Sequence, residues 1–150
     1  MQEYDKIIHR EKERMGTCME RVNEKGTIKI NKLIFGRLAW DAVGLTEGHA
    51  FSASEKGKQL TGIGGSRPTP GEIADHMVVQ DTDGGLEIRF CIIMLFGSSI
   101  QKNTQMILDY MEKELKVMFP GQAGRILLKV VGVKSKQIAP RDIEVERAWN

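Results

Sequence analysis

The alternation of apolar and polar positions is strongest between Leu86 and Val133. Leu86, Ile88, Phe90, Ile92, Met94 and Phe96 fall on every second position, the period at which a pleated strand presents one face. Gly97-Ser98-Ser99 then turns the chain, and Ser98 with Gln101 three residues on predicts a capping box for a following helix. In that helix Ile100, Ile107, Met111, Leu115 and Met118 form one stripe, widened by Leu108 and Phe119, while charged and amide residues cover the rest. Phe119-Pro120-Gly121 stops it, because proline cannot continue the backbone hydrogen bonding. Ile126 to Val133 reads as the return strand. The block predicts a β-α-β unit.

Upstream, Gly26-Thr27-Ile28-Lys29-Ile30 predicts a short strand, and Asn31 is placed to cap a helix in which Ile34, Leu38 and Ala42 share a face. Gly44 ends that helix. Residues 46–76 have the Gly, Ser, Pro and Lys content of a long loop, with a short helix predicted from Thr69-Pro70, threonine as cap and proline at the first position. Met77 to Gln80 reads as a strand joined to the long one through Asp81-Thr82-Asp83-Gly84-Gly85, which is hairpin-turn chemistry. Residues 1–25 read as a charged helical arm in which Ile8, Met15 and Val22 recur every seven positions beside Tyr4 and Cys18. Gly16 interrupts the pattern, which favours a helix laid on its own domain over a coiled-coil docking helix. Residues 135–150 are a charged tail in which Ile138, Ile143 and Val145 can add an edge strand.

The fold class expected is therefore α+β: a small mixed sheet with a central β-hairpin against two main helices, in the order β-α-(loop)-β-β-α-β, plus the arm. Residues 26–134 form the single domain. A chain of 150 residues, 41% apolar and 28% charged, is large enough to bury a core without a disulfide or structural metal. The formal net charge of +2 announces no nucleic-acid or anionic-membrane partner. Cys18 and Cys91 are far apart in sequence, so reduced thiols and an intracellular setting are expected. The first residues carry no basic-then-apolar signal pattern, and the longest apolar run, Phe90 to Phe96, is too short to span a bilayer.

Candidate chemistry is sparse. Gly62-Ile63-Gly64-Gly65 matches the G-x-x-G of a KH-type loop, with Lys58 and Arg67 nearby, so Lys58, Gly62, Gly65 and Arg67 are the candidate nucleic-acid contacts of an alternative reading. No Gly-Lys-Ser/Thr follows, which excludes a Walker loop. Gly64-Gly65-Ser66-Arg67-Pro68 has proline where a nucleophile elbow needs glycine. Asp81-x-Asp83-Gly84 lacks the later acidic ligands of a calcium loop. His9, His49 and His76 are scattered, with no ligand spacing. No catalytic residue, metal site or cofactor site is assigned. One feature remains: Cys91, Ile93 and Leu95 make the second face of the long strand apolar as well. Either the chain covers that face itself or it meets a partner, and these three residues are the candidate interaction face.

The order of these elements resembles the bacterial alkaline-shock protein family. The likeness lies in Gly26-Thr27-Ile28-Lys29-Ile30 with the helix ending Val43-Gly44-Leu45, in Leu86-Glu87-Ile88-Arg89-Phe90-Cys91-Ile92-Ile93 with Phe96-Gly97, in the helix Ile100 to Phe119, and in a closing strand ending Val130-Val131-Gly132-Val133. It covers residues 26–134 apart from the middle loop. The resemblance implies a non-enzymatic cytoplasmic interaction or scaffold protein linked to cell-envelope stress. It also implies a protein partner or self-association, with a membrane-associated anchor protein rather than direct insertion. The family has no catalytic motif to carry over.

Overall fold

A computed structural model of the chain describes Glu20–Val22, Thr27–Lys29 and residues 31–150; the rest of the expected arm, with Tyr4, Ile8, His9, Met15 and Cys18, lies outside the described residues. In chain order the elements are β1 (Glu20–Val22), β2 (Thr27–Lys29), α1 (Lys32–Gly44) and β3 (Ala50–Ala53), then a single 3-10 turn (Ile63–Gly65) and α2 (Pro70–Ala74). They continue with β4 (Val78–Thr82), β5 (Gly85–Leu95), α3 (Ile100–Met118), β6 (Gly124–Lys134) and β7 (Ile138–Trp149). The fold is α+β. β1 and β2 pair with each other as an antiparallel hairpin separate from the main sheet, so the helix expected over residues 1–25 is corrected at Glu20–Val22, which is strand because its backbone pairs with Thr27–Lys29.

β5 is the hub of the mixed main sheet. Its first half pairs antiparallel with β4, Val79 opposite Ile88 and Thr82 opposite Gly85, which leaves Asp83-Gly84 as the two-residue hairpin turn. Its second half pairs on the same edge with β3, Ala53 opposite Cys91 and Ala50 opposite Met94. On its other edge β5 runs parallel to β6, and α3 is the crossover that a parallel pair requires. β7 then turns back antiparallel to β6, from Ile138 opposite Lys134 to Trp149 opposite Gly124.

The front of the sheet carries the core. Leu86, Ile88, Phe90, Ile92 and Met94 alternate onto that face and are all buried. Against them lie Phe35, Leu38 and Ala42 of α1 and Ile107, Met111 and Leu115 of α3, each large side chain contributing roughly 1.5–3 kcal/mol by leaving water. Phe35 and Phe119 stack with ring centroids 5.9 Å apart, joining α1 to the end of α3. Phe96 departs from the strand pattern: it lies beyond the last β5 residue and is 72% exposed.

Two caps follow the local code. Asn31 Oδ1 accepts from the Leu33 N–H at 3.0 Å, and Thr69 with Glu72 makes a reciprocal capping box on α2. The cap expected at Ser98 sits one residue later. Gly97 takes a left-handed φ of 88°, and the Ser98 N–H donates to the Leu95 carbonyl at 3.0 Å, closing a turn over Phe96-Gly97. Ser99 is therefore the cap, accepting from the Lys102 N–H, and Gln101 is not part of a capping box.

Two further expectations are corrected. The long loop contains β3, whose Ala-Phe-Ser-Ala sequence has little strand character and which forms because the upper edge of β5 is open to it. The charged tail is not outside the domain: residues 138–149 are β7, and Trp149 at its end is buried. A Cβ at Gly124 would stand 2.6 Å from the Trp149 ring, so the missing side chain makes room for the indole. The indole Nε1 donates to the Gln122 carbonyl at 2.9 Å. Charged residues and Pro140 along β7 suit an edge strand that resists further pairing.

Candidate interaction surface

The helix layer leaves an open groove of about 550 Å³ between α1, α3 and the start of α2. Leu33, Ile34 and Leu38 come from α1, Met118 from α3 and Pro70 from α2. Positions 34 and 38 are one helical turn apart, so both point into the gap between the helices. Leu38 and Met118 are buried at its floor, whereas Leu33 is 48% exposed at its lip. The rim is polar. Arg37 Nε lies 3.5 Å from the Asp41 carboxylate, and the Tyr110 hydroxyl donates to the same carboxylate at 3.5 Å across the groove. Burial, followed by the nearby Asp41 charge, pushes the Tyr110 phenol up from its ordinary value, so it stays protonated and a donor. Asn31 closes one end of the groove; its Nδ2 is enclosed and has no hydrogen-bond acceptor among the described residues.

Helix α1 and α2 approach closely because of one glycine. A Cβ at Gly36 would stand 2.3 Å from the Pro70 carbonyl oxygen and 2.8 Å from the Ala74 Cβ. Mid-helix glycine is otherwise unfavourable by about 1 kcal/mol relative to alanine, and the helix contact is what this position gains. The groove wall at Pro70 and Gly71 depends on that approach.

The apolar back of β5 is not an open face. Cys91 and Ile93 are buried in a second, small cluster with Ala53 of β3 and Val131 of β6, and Phe51 and Ile138 pack against it. The segment after β3 folds over these residues. Leu60 N–H donates to the Ser52 carbonyl at 2.9 Å, Gln59 bridges to Ala53, and Lys134 Nζ donates to Gln59 Oε1 at 2.7 Å. Of the three residues expected to form an interaction face, only Leu95 remains half-exposed. The chain covers the other two itself.

Toward the start of β5 the back of the sheet is charged instead. Glu87 is buried, with Gln80 Nε2 donating to it at 3.2 Å and Arg89 Nη2 at 3.1 Å. Those two hydrogen bonds hold its carboxyl below the ordinary value, helped by the charge of Arg125. A cavity of about 170 Å³ next to it is lined by Glu55, His76, Arg89, Lys129 and Glu144, with Cys91 among its walls. Burial and the Glu55 charge push the Cys91 thiol up, the opposite of an activated nucleophile. Among the described residues no group of three or more His, Cys, Asp or Glu side chains could hold a metal ion.

The Gly62–Gly65 stretch is a tight loop on an extended lead-in, and the described residues before it form no helix back to α1. A KH-type loop joins two helices, so the structural context of that motif is missing. Gly62 N–H donates to the Ser66 carbonyl at 2.8 Å, and Ile63 at the tip is 98% exposed. Arg67 is exposed and lies over Trp40: its guanidinium stacks 4.1 Å from the Trp40 ring centroid and its Nη2 donates to the Trp40 carbonyl. Trp40 Nε1 in turn donates to the Pro68 carbonyl at 2.9 Å. Gly65 and Arg67 line a cleft of about 320 Å³ with Glu47 and Gln59, and Gly62 and Lys58 do not. Two of the four candidate contacts therefore share that cleft.

No protein-family model, no curated protein and no solved structure matches this chain. Sequence reasoning missed the groove because it is made by spacing between helices; the exposed Leu33 beside Ile34 at the start of α1 was the available signal.

Proposed function

We propose that this protein acts by binding other proteins, and that the α1–α3 groove is where a partner docks. The observation that carries this reading is the groove itself, with an apolar floor of Ile34, Leu38 and Met118 and a polar rim of Arg37, Asp41 and Tyr110. A trough between two helices with that lining suits an amphipathic helix, whose apolar face supplies the anchors. The resemblance to alkaline-shock proteins supports the same class of function: a non-enzymatic interaction or scaffold protein in the cytoplasm, linked to cell-envelope stress. A peripheral position beneath the membrane would then come from a membrane-associated partner. No helix among the described residues is long and apolar enough to cross a bilayer.

The test compares wild-type protein with Leu33→Asp in the groove and Ile63→Asp at the tip of the loop before α2. Both positions are solvent-accessible, so folding is expected to survive. Quantitative capture from the native cell extract should show proteins lost with Leu33→Asp and retained with Ile63→Asp. Equal capture by all three proteins would refute the assignment. Light scattering across a wide concentration range tests the self-association form, in which wild type is larger than a monomer and Leu33→Asp is not.

A further inference from the structure

The outer edge of β3 opens into the cleft of about 320 Å³ that Glu47 and Arg67 line. Successive residues of a strand turn their backbone hydrogen-bonding groups to opposite sides. The His49 carbonyl accepts from the Leu95 N–H at 2.8 Å, so His49 and Phe51 turn these groups toward β5. Ala50 and Ser52 therefore turn theirs outward. There the Ala50 N–H donates to Thr46 Oγ1 at 3.1 Å, and the Ser52 carbonyl accepts from the Leu60 N–H at 2.9 Å. The chain then leaves the edge, with the Gly62 N–H turned to the Ser66 carbonyl. The Ala50 carbonyl and the Ser52 N–H are left without a partner among the described residues. An acceptor and a donor two residues apart are what an extended backbone takes up when it adds to a sheet edge. The Ser52 hydroxyl also has no partner among the described residues, although Ser52 is only 4% exposed and lines the cleft.

The same cleft carries two charges that do not neutralise each other. Glu47, in the turn after α1 at a left-handed φ of 54°, is exposed, and its carboxylate has no ion pair or hydrogen bond among the described residues. Arg67 gives one Nη2 hydrogen to the Trp40 carbonyl, and the rest of its guanidinium N–H groups have no acceptor among the described residues. A ligand that satisfies both carries an ammonium and a carboxylate. Val43, Leu60 and Pro68 add an apolar wall. The volume lies at the small end of the range of about 300–1,000 Å³ for ligand pockets, which suits a short ligand rather than a long added strand.

We infer that this cleft binds a zwitterionic di- or tripeptide, its ammonium on Glu47, its carboxylate on Arg67 and a peptide group on the free edge at Ala50 and Ser52. The main-chain groups read the ligand as a peptide, and the two charges select one short enough to present both termini at once. The cleft and the α1–α3 groove share no lining residue, so the inference stands apart from the docking reading.

The experiment titrates the isotope-labelled full chain with the dipeptide alanyl-leucine and follows the backbone amide resonances by NMR. A ligand of this size should saturate with a dissociation constant of about 1 mM, and the amides of Ser52 and its neighbours around the cleft should move most. N-acetyl-alanyl-leucine, which lacks the ammonium, should bind roughly tenfold more weakly, the loss expected for one charge-assisted hydrogen bond. Glu47→Gln should weaken alanyl-leucine by a similar factor and remove the difference between the two peptides. Free leucine, which has both charges but no peptide group, should bind more weakly than the dipeptide. The inference is overturned if the cleft amides do not saturate, if the shifts centre elsewhere, or if the acetylated peptide binds as tightly as the free one. It is also overturned if the difference between the peptides persists in Glu47→Gln, or if free leucine matches the dipeptide.

Discussion

Gly36→Ala sets two physical effects against each other. Intrinsic helix propensity favours the alanine by about 1 kcal/mol, because glycine in a helix interior loses more backbone entropy. Packing opposes it. The new methyl would stand 2.3 Å from the Pro70 carbonyl oxygen and 2.8 Å from the Ala74 Cβ, where ordinary contact begins at 3.4 Å. Relief requires α2 to move by about 1 Å, and both close atoms belong to backbone or to a Cβ that no rotamer can withdraw. Overpacking of this kind costs typically 1–3 kcal/mol, so after the propensity gain of about 1 kcal/mol the net expectation is destabilisation of about 0–2 kcal/mol. Urea unfolding followed by circular dichroism measures it as a lower midpoint at unchanged slope. The displacement should also reach Trp40, which donates to the Pro68 carbonyl just before α2, so the native fluorescence should change. A midpoint that rises in line with propensity, with fluorescence unchanged, would refute the close approach of α1 and α2.

Three other outcomes are expected. Trp149→Ala should cost about 3–5 kcal/mol by urea unfolding and Trp149→Phe about 1 kcal/mol for the lost hydrogen bond; near-neutral values would mean that β7 is not integral to the core. Glu87 and Glu112 are both held below their ordinary value of 4.5, Glu87 chiefly by Gln80 and Arg89 and Glu112 chiefly by its hydrogen bond from Arg147. A carboxyl depressed in the folded state stabilises fully above its unfolded pKa and loses that contribution as pH falls through the folded one. Stability should therefore drop below about pH 4.5, and Glu112→Gln should flatten that drop; an identical pH dependence would contradict the assignment. Finally, Cys91 should resist a thiol reagent in the folded Cys18→Ser protein and react only at the rate of unfolding. Fast labelling would show that its cover opens.

Much of the local order could be read from the residues alone. The alternation from Leu86 to Met94, the stripe from Ile107 to Met118, the Pro120-Gly121 stop and the caps at Asn31 and Thr69 are short-range signals, and each has its physical cause within a few neighbouring residues. What depended on distant parts of the chain was faint or absent there, as with the tail, where Ile138, Ile143 and Val145 offered an edge strand without its partner or extent. The strand at Ala50–Ala53 exists because β5 has an unfilled edge, and the charged sequence 138–149 becomes a strand because β6 lies beside it and Gly124 leaves room for Trp149. The fate of Cys91 and Ile93 shows the limit most clearly. Period-two patterning says that both faces of β5 are apolar, but only the return of residues 54–60 across the sheet settles that the chain covers the second face itself. The groove is of the same kind: Leu33, Leu38, Tyr110 and Met118 carry no joint signal in sequence, since the gap they line is set by how far apart two packed helices stand.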